Sequence, residues 1–335
     1  MKNIMKALFI MSTVSLVIIL TGCTPSSEKQ TTSDTTIHVA STIFPIHDIA
    51  QTIGGDYVTS HVILPPGASP HTFSPTPSDI RSLEDASLLF VVGHGIDSWT
   101  TTITDSLEAV ETIEVSNGIT LHTFAHEHEH EHEHDESEHE HNDEHEHHEQ
   151  DHEQHDHDHE QNNETEMVDP HYWLNTENGI QIASTITEAL CTADPDHAEH
   201  YKENLASYKQ DLNALHTELT DMLDDLDNKD LLVFHDSWNY FAREFNLTIA
   251  GVFQTSPGKE PSPQYLEKLY NQAQEHNVQV VFSEPQLSPA TLRPFIEDLG
   301  LTMYVLDPLG GLEERDSYIN MLRYNAETIH EALNQ

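Results

Sequence analysis

A long stretch in the middle of the chain carries apolar side chains at alternating spacings of four and three residues. It follows Asp194-Pro195, a pair typical of a helix start because proline fits the first helical turn. The spacing predicts a single helix of roughly 30 residues, about 45 Å long at 1.5 Å per residue. We interpret it as a packing helix, with the rest of the chain arranged before and after it. Its apolar face consists of Tyr201, Leu205, Tyr208, Leu212, Leu215, Leu219, Met222 and Leu226.

Short apolar runs alternate with helical patterns on both sides of this helix. Because strands that alternate with helices form mainly parallel sheets, the sequence predicts an α/β fold. A chain of 335 residues is also long enough for two domains. The predicted strands before the long helix are residues 37–43, 57–64, 87–92 and 112–115, with helices at 45–54, 78–85, 98–110 and 179–190. The predicted strands after it are 231–234, 247–253, 278–282 and 302–306, with helices at 262–276, 290–299 and 317–333.

The charge balance excludes some partners and favours another. The chain has 13 Lys and Arg against 59 Asp and Glu, together with 27 His. Such a chain has no basic surface to neutralise phosphates, so we expect no nucleic-acid binding. A cationic partner such as a metal ion suits the composition better.

The N-terminus has the features of a lipoprotein leader. Lys2 and Lys6 precede an apolar run over residues 7–20, which is short for a membrane span. The run ends in Leu20-Thr21-Gly22-Cys23, which resembles the bacterial lipobox. We therefore expect a signal peptide over residues 1–22 and lipidation of Cys23, which would hold the protein on the extracytoplasmic side of the cell membrane. The alternative is an ordinary secretory signal followed by a chance cysteine.

Two polar segments are not expected to fold by themselves. Residues 23–36 are rich in Ser, Thr and other polar residues, and we interpret them as a flexible tether. Residues 125–166 contain 14 His and 19 Asp or Glu without Lys or Arg, so this insert cannot bury a core. Its alternating imidazoles and carboxylates predict several weak metal sites. The histidines are His126, His128, His130, His132, His134, His139, His141, His145, His147, His148, His152, His155, His157 and His159.

Four further side chains could form one metal site in the folded body. His71, His171, His235 and Asp307 all follow apolar strands or adjoin prolines. Three nitrogen donors and one carboxylate would suit a closed site for a divalent ion such as zinc. Each histidine would have to be neutral, with its other ring nitrogen held by an orienting partner. Spacing alone does not separate this set from His38, His47, His61, His94 and Glu284.

Five motifs give the chain a resemblance to a known family. They are Pro66-Gly67-Ala68-Ser69-Pro70-His71, Asp169-Pro170-His171-Tyr172-Trp173-Leu174, the run from Phe234 to Phe241, the run from Phe282 to Gln286, and Leu306-Asp307-Pro308-Leu309-Gly310. In these motifs the chain resembles the metal-binding lipoproteins of ABC importers, called class III or cluster A-I, and among them the zinc-specific Znu- or Adc-type branch. The resemblance runs from Ile37 to the C-terminus apart from the insert.

The resemblance implies an architecture and a ligand set. Two α/β lobes would be joined by one long rigid helix, with the metal in the cleft between them. The expected boundaries are an N-terminal lobe over 37–190, a linking helix over 191–230 and a C-terminal lobe over 231–335. The ligands map to His71, His171, His235 and Asp307. A glutamate occupies the third position in the manganese branch, so His235 favours zinc, as does the His-rich insert.

The implied function is capture of Zn²⁺ outside the cytoplasm and its delivery to a membrane permease with its ATPase. The protein is expected to act as a monomer and not as an enzyme. A manganese-binding homologue, a surface metal buffer and an adhesin remain alternatives. A secreted zinc hydrolase is a further one, with Glu284 as its base, but four ligands would leave no open position for water and no HExxH spacing occurs outside the insert.

Overall fold

The structure is a computed structural model that describes residues 36–107, 109–124, 167–254, 261–288, 290 and 293–334. The predicted signal peptide, the predicted lipidation site Cys23, most of the predicted tether and the insert with its 14 histidines lie outside the described residues. No described helix is both long enough and apolar enough to cross a membrane.

The described chain alternates between strands and helices. The strands are β1 (Ile37–Ser41), β2 (Val58–Val62), β3 (Leu88–Val91), β4 (Glu111–Glu114), β5 (Asp230–His235), β6 (Thr248–Gln254), β7 (Val280–Ser283) and β8 (Thr302–Val305). The helices are α1 (Phe44–Gly54), α2 (Pro77–Arg81), α3 (Thr100–Thr104), α4 (Thr176–Ala193), α5 (Ala198–Asp224), α6 (Asn239–Glu244), α7 (Pro263–Glu275), α8 (Arg293–Leu299) and α9 (Tyr318–Leu333).

The strands form two parallel sheets of four, with the orders β2-β1-β3-β4 and β6-β5-β7-β8. In each sheet the second strand of the chain pairs on one side of the first and the third strand pairs on the other. The strand order therefore reverses beside β1 and beside β5, and ligands of open α/β sheets bind at such points. The predicted α/β class with two parallel-sheet lobes is confirmed.

The long predicted helix is present as α5, with 27 residues or about 40 Å of length. Its apolar face is buried at Tyr201, Tyr208, Leu212, Leu215 and Leu219, as the spacing predicted. Helix α5 packs against α4 and α1, and the C-terminal helix α9 packs against both α5 and α1. The final helix thus contacts the first half of the chain as well as the second.

A few elements differ from the prediction. The helix predicted over 98–110 is reduced to α3, because Asp105 and Ser106, residue types that favour turns over helix interiors, form a turn directly after Thr104. Helix α6 was not predicted; it begins four residues after the ligand candidate His235 and buries Tyr240 and Phe241.

Candidate metal centre

His71 lies in the proline-rich connection that follows β2. Within this connection the Ala68 amide donates to the Pro65 carbonyl at 3.1 Å, and Gly67 adopts a positive φ of 79°. The Trp99 indole N–H donates to the Pro70 carbonyl at 3.1 Å and so fastens the residue before His71. The connection is therefore braced on the N-terminal side of His71.

His171 is positioned by the aspartate two residues before it. Asp169 Oδ1 accepts from the His171 backbone N–H at 3.0 Å and from His171 Nδ1 at 2.8 Å. Both residues are buried, and the other carboxylate oxygen accepts from the Asn239 amide at 3.1 Å. With Nδ1 engaged, the nitrogen that remains free to bind a metal is Nε2. The Asp-Pro-His spacing thus supplies a ligand and its orienting partner.

His235 ends β5, and Glu284 directly follows the neighbouring strand β7. These two strand ends lie where the order of the second sheet reverses. His235 Nδ1 lies 3.3 Å from Glu284 Oε2. Glu284 Oε1 accepts from the Ser237 hydroxyl at 2.7 Å and from the Trp238 indole N–H at 3.0 Å. The arrangement again leaves Nε2 of the histidine free.

The three imidazoles converge. Their ring centroids are 5.5 Å apart for His71 and His171, and 5.1 Å apart for each of the other two pairs. One potential ligand nitrogen from each ring lies within 4.8 Å of the others. A tetrahedral zinc ion with bonds of about 2.05 Å needs nitrogens about 3.3 Å apart, so small side-chain shifts would close the set. In the described part of the chain, this is the one group of three or more His, Cys, Asp or Glu with such spacing.

Burial and charge prepare these rings for a cation. Burial lowers the pKa of His71 to about 3, and the neighbouring His171 and His235 act in the same direction, so this ring is neutral. The Nε2 atom of His71 is buried without a hydrogen-bond partner among the described residues. Burial lowers the pKa of His235, but the carboxylates of Glu284, Asp236 and Asp169 together outweigh burial, so that pKa is raised. The buried carboxylates of Asp169 and Glu284 thus contact Nδ1 of His171 and of His235 respectively.

The fourth predicted residue, Asp307, lies outside this group. It follows β8 and is fully buried. Its Oδ1 accepts from the Gln286 amide at 3.0 Å and from the backbone amides of Leu309 at 3.0 Å and Gly310 at 3.1 Å. Its Oδ2 lies 3.4 Å from Arg315 Nη1. Asp307 is therefore joined to the cavity through Gln286, which lines the space beside the three histidines.

The five residues that spacing could not separate from the predicted set lie in different parts of the structure. His47 Nδ1 lies 2.9 Å from Ser60 Oγ, and His61 Nε2 lies 3.3 Å from Ser82 Oγ, both within the first half of the chain. His38 belongs to β1 and does not line the cavity. His94 lines an adjoining cavity with the three histidines, while its Nε2 lies 3.0 Å from Ser116 Oγ. Glu284 reaches the site as the partner of His235.

The sequence interpretation called for orienting partners but did not assign them. Asp169 and Glu284 fill that role, and Gln286 was quoted only as part of a motif. The signal for Asp169 was present in the sequence, because an aspartate two residues before a histidine can reach its Nδ1. No such local signal was available for Glu284, which lies 49 residues from His235 in the chain.

Comparison with known proteins agrees with this geometry. The sequence profile of ZnuA, described as zinc-uptake complex component A, periplasmic, matches residues 39–332. The chain belongs to the ZnuA family. It is 32% identical to the high-affinity zinc uptake system protein ZnuA of Brucella suis over 309 residues, which cover 89% of this chain and 92% of the relative. It is 26% identical to the manganese ABC transporter substrate-binding lipoprotein PsaA of Streptococcus pneumoniae, over 94% of this chain and 95% of the relative.

Solved structures of ZnuA share the fold. A crystal structure of ZnuA superimposes with a TM-score of 0.72 at 28% identity, covering 89% of this chain and 99% of that one. A ZnuA deletion mutant with zinc bound superimposes with the same TM-score at 27% identity, covering 89% and 98%. The ZnuA-family chain described here is thus the extracytoplasmic metal-binding component of an ABC metal-uptake system. Components of this kind operate with a permease and an ATPase and are not enzymes.

Proposed function

We propose that this protein captures Zn²⁺ with the Nε2 atoms of His71, His171 and His235 and delivers it to its membrane permease. The observation that carries the proposal is the convergence of the three rings, two of which rest on buried carboxylates. A neutral imidazole is a preferred zinc ligand, and a carboxylate on its other nitrogen fixes the tautomer and raises its basicity. Asp169 and Glu284 also supply two negative charges close to a dication.

The three rings border two cavities. They line one of about 20 Å³, enough for a single water-sized sphere, and an adjoining one of about 270 Å³. Zinc bound by the three rings would exchange water ligands for imidazole nitrogen. Because the donors are held on braced connections, little conformational entropy is lost when the ion binds.

Manganese is the second candidate, because several relatives carry manganese in their names. Manganese prefers carboxylate, carbonyl and water oxygen, whereas nitrogen dominates this group of side chains. X-ray absorption of the zinc-loaded protein tests the proposal. We expect a first coordination shell that contains three imidazole nitrogens at about 2.0–2.1 Å from zinc. A spectrum dominated by oxygen, or zinc bound with fewer than three imidazoles, would refute it, and complete retention of manganese against an equal concentration of zinc would favour the second candidate.

The parts of the chain outside the described residues complete the proposed function. Cys23 would carry a lipid anchor, since the homologues named as lipoproteins include PsaA. The insert over residues 125–166 would bind several further ions weakly, because its composition cannot bury a core and the chain would have to be ordered around each ion. Its many carboxylates would raise the local cation concentration and so speed capture at low salt.

A further inference from the structure

The larger of the two cavities beside the three rings, about 270 Å³ in volume, is called the outer cavity below. It reaches the surface, because Met167 in its lining is 61% exposed. The smaller cavity holds only a single water-sized sphere. A cation that still carries water ligands therefore has room in the outer cavity and not in the smaller one. The groups that line the outer cavity are thus placed to meet such an ion.

Two further side chains with nitrogen or oxygen donors line the outer cavity, His94 and Asp236. Asp236 directly follows His235, and its Oδ1 accepts from the Asn239 amide at 2.8 Å. Its second carboxylate oxygen has no hydrogen-bond partner among the described residues. A carboxylate oxygen is a zinc ligand, so this free oxygen could hold a cation.

The contacts of His94 decide which of its nitrogens can bind an ion. Its Nε2 lies 3.0 Å from Ser116 Oγ and 3.1 Å from Glu114 Oε1. The Ser116 hydroxyl donates to Glu114 at 2.6 Å, so it has no proton left for His94. Because both neighbours of Nε2 accept, the proton of the neutral ring lies on Nε2 and Nδ1 keeps its lone pair. A carboxylate on one ring nitrogen is the arrangement that orients a histidine as a metal ligand.

The backbone at His94 is held in an uncommon conformation. Its φ is 52°, which few residues other than glycine adopt. Asp97 fixes the turn by accepting from the backbone amides of Val92 at 2.7 Å and Gly93 at 3.0 Å. A Cβ on Gly93 would lie 2.5 Å from Glu114 Cδ, so glycine leaves room for the carboxylate that orients His94. Residues in such conformations cluster at ligand sites, where the surroundings hold them in place.

We propose that His94 Nδ1 and the free oxygen of Asp236 form a transit site in the outer cavity, where a divalent cation exchanges part of its water shell before it reaches the three rings. The inference rests on the proposed function, because the three-histidine site is the destination of the ion. Imidazole nitrogen and carboxylate oxygen both bind zinc, and two protein ligands leave the other positions to water. Since the transit site is empty once the ion is bound, it should change the rates of binding and release but not the affinity.

Stopped-flow tryptophan fluorescence of the full chain can follow the arrival of zinc at the rings. The ring centroid of Trp173 lies 5.3 Å from that of His171, whereas the insert contains no tryptophan. The fluorescence change therefore reports the three-histidine site and not the weak sites predicted in the insert. Release is measured by mixing the zinc-loaded protein with excess chelator, and the equilibrium dissociation constant by competition titration.

The two test variants are His94→Gly and Asp236→Asn. Glycine adopts a positive φ without strain, and asparagine keeps an oxygen that accepts from the Asn239 amide. Each variant should slow association and dissociation by the same factor, at least about fivefold, with the dissociation constant changed by less than about twofold. His276→Gly and Asp230→Asn, at a His–carboxylate pair outside this cavity, should change neither rate. The effect of Asp236→Asn should persist at about 1 M salt, where charges are screened within about 3 Å.

The contrary results are specific. Rate constants that stay unchanged in either variant overturn the inference, as does a raised dissociation constant with an unchanged association rate. An effect of Asp236→Asn that vanishes at high salt shows attraction by charge alone and also overturns it. If thermal unfolding shows that His94→Gly does not fold, His94→Asn replaces it. Tight binding that survives His235→Ala refutes the histidine site, whereas loss there with unchanged rates in His94→Gly refutes only the transit site.

Discussion

Replacing Glu284 by glutamine should change the tautomer of His235. The Glu284 oxygen that accepts from the Ser237 hydroxyl and the Trp238 indole must remain an oxygen, because the indole N–H can only donate. The new NH₂ group then faces His235 Nδ1, which lies 3.3 Å from the present carboxylate oxygen. His235 would have to accept there, so its proton would move to Nε2, the nitrogen needed for zinc.

The structure offers a matched substitution that should not move a proton. In Asp169→Asn the oxygen that accepts from the backbone and the ring of His171 can be kept, because both are donors. The new NH₂ group instead faces the Asn239 amide. Asp169→Asn therefore removes a charge but preserves the tautomer of His171, whereas Glu284→Gln removes a charge and blocks a ligand.

The expected magnitudes follow from this difference. Loss of a partner that orients a metal ligand costs about 10–100-fold in affinity. We expect Asp169→Asn near the lower end and Glu284→Gln at or above the upper end, which is about 1.4 and 2.7 kcal/mol at 1.36 kcal/mol per decade.

Competition with a chromophoric chelator at neutral pH measures both constants, and thermal unfolding of the metal-free proteins checks that each variant folds. Equal losses for the two variants, or an unchanged zinc affinity for Glu284→Gln, would refute the tautomer argument.

Three further outcomes test the leader, the protonation of the site and the packing between helices. Cys23→Ser should release the protein into the medium or leave it unprocessed; a processed, membrane-bound variant would exclude lipidation. Because the pKa of His71 falls to about 3 from an ordinary value of 6.5, the unfolded chain binds a proton that the folded metal-free chain does not. Stability should therefore fall as pH drops from about 6.5 towards 3, and His71→Asn should flatten that dependence in urea titrations; an identical slope would refute it. A Cβ on Gly179 would lie 2.5 Å from the Tyr318 hydroxyl. Gly179→Ala should therefore lower the free energy of unfolding, measured in urea, by about 1–3 kcal/mol. A decrease below about 0.5 kcal/mol would contradict this packing.

Much of the fold could be predicted because local patterns agree with it. The alternating four and three spacing of α5 is buried as expected, and β5, β6 and β8 begin within one residue of their predicted starts. Helix α3 is shorter than predicted, because Asp105 and Ser106 form a turn directly after Thr104 instead of continuing the helix.

The site could be predicted only in part. His71, His171 and His235 were named from strand ends and proline contexts, and the structure brings their rings together. Asp307 was named as well, but it lies outside this group, and its Oδ1 accepts from the amides of Gln286, Leu309 and Gly310. Those donors come from residues two, three and 21 positions away, and sequence spacing does not rank such contacts.

We propose that the tight zinc site lies in the folded body and not in the His-rich insert. Isothermal titration of zinc into four proteins tests it most directly: the unmodified protein, a deletion of residues 125–166, His235→Ala, and His276→Ala as a control at an exposed histidine paired with Asp230. The deletion and His276→Ala should each keep one tight event, and the deletion alone should lose the weak excess of bound zinc. His235→Ala should lose the tight event and keep the weak ones. Loss of tight binding on deletion, with an unchanged tight event in His235→Ala, would contradict the claim and place the main site in the insert.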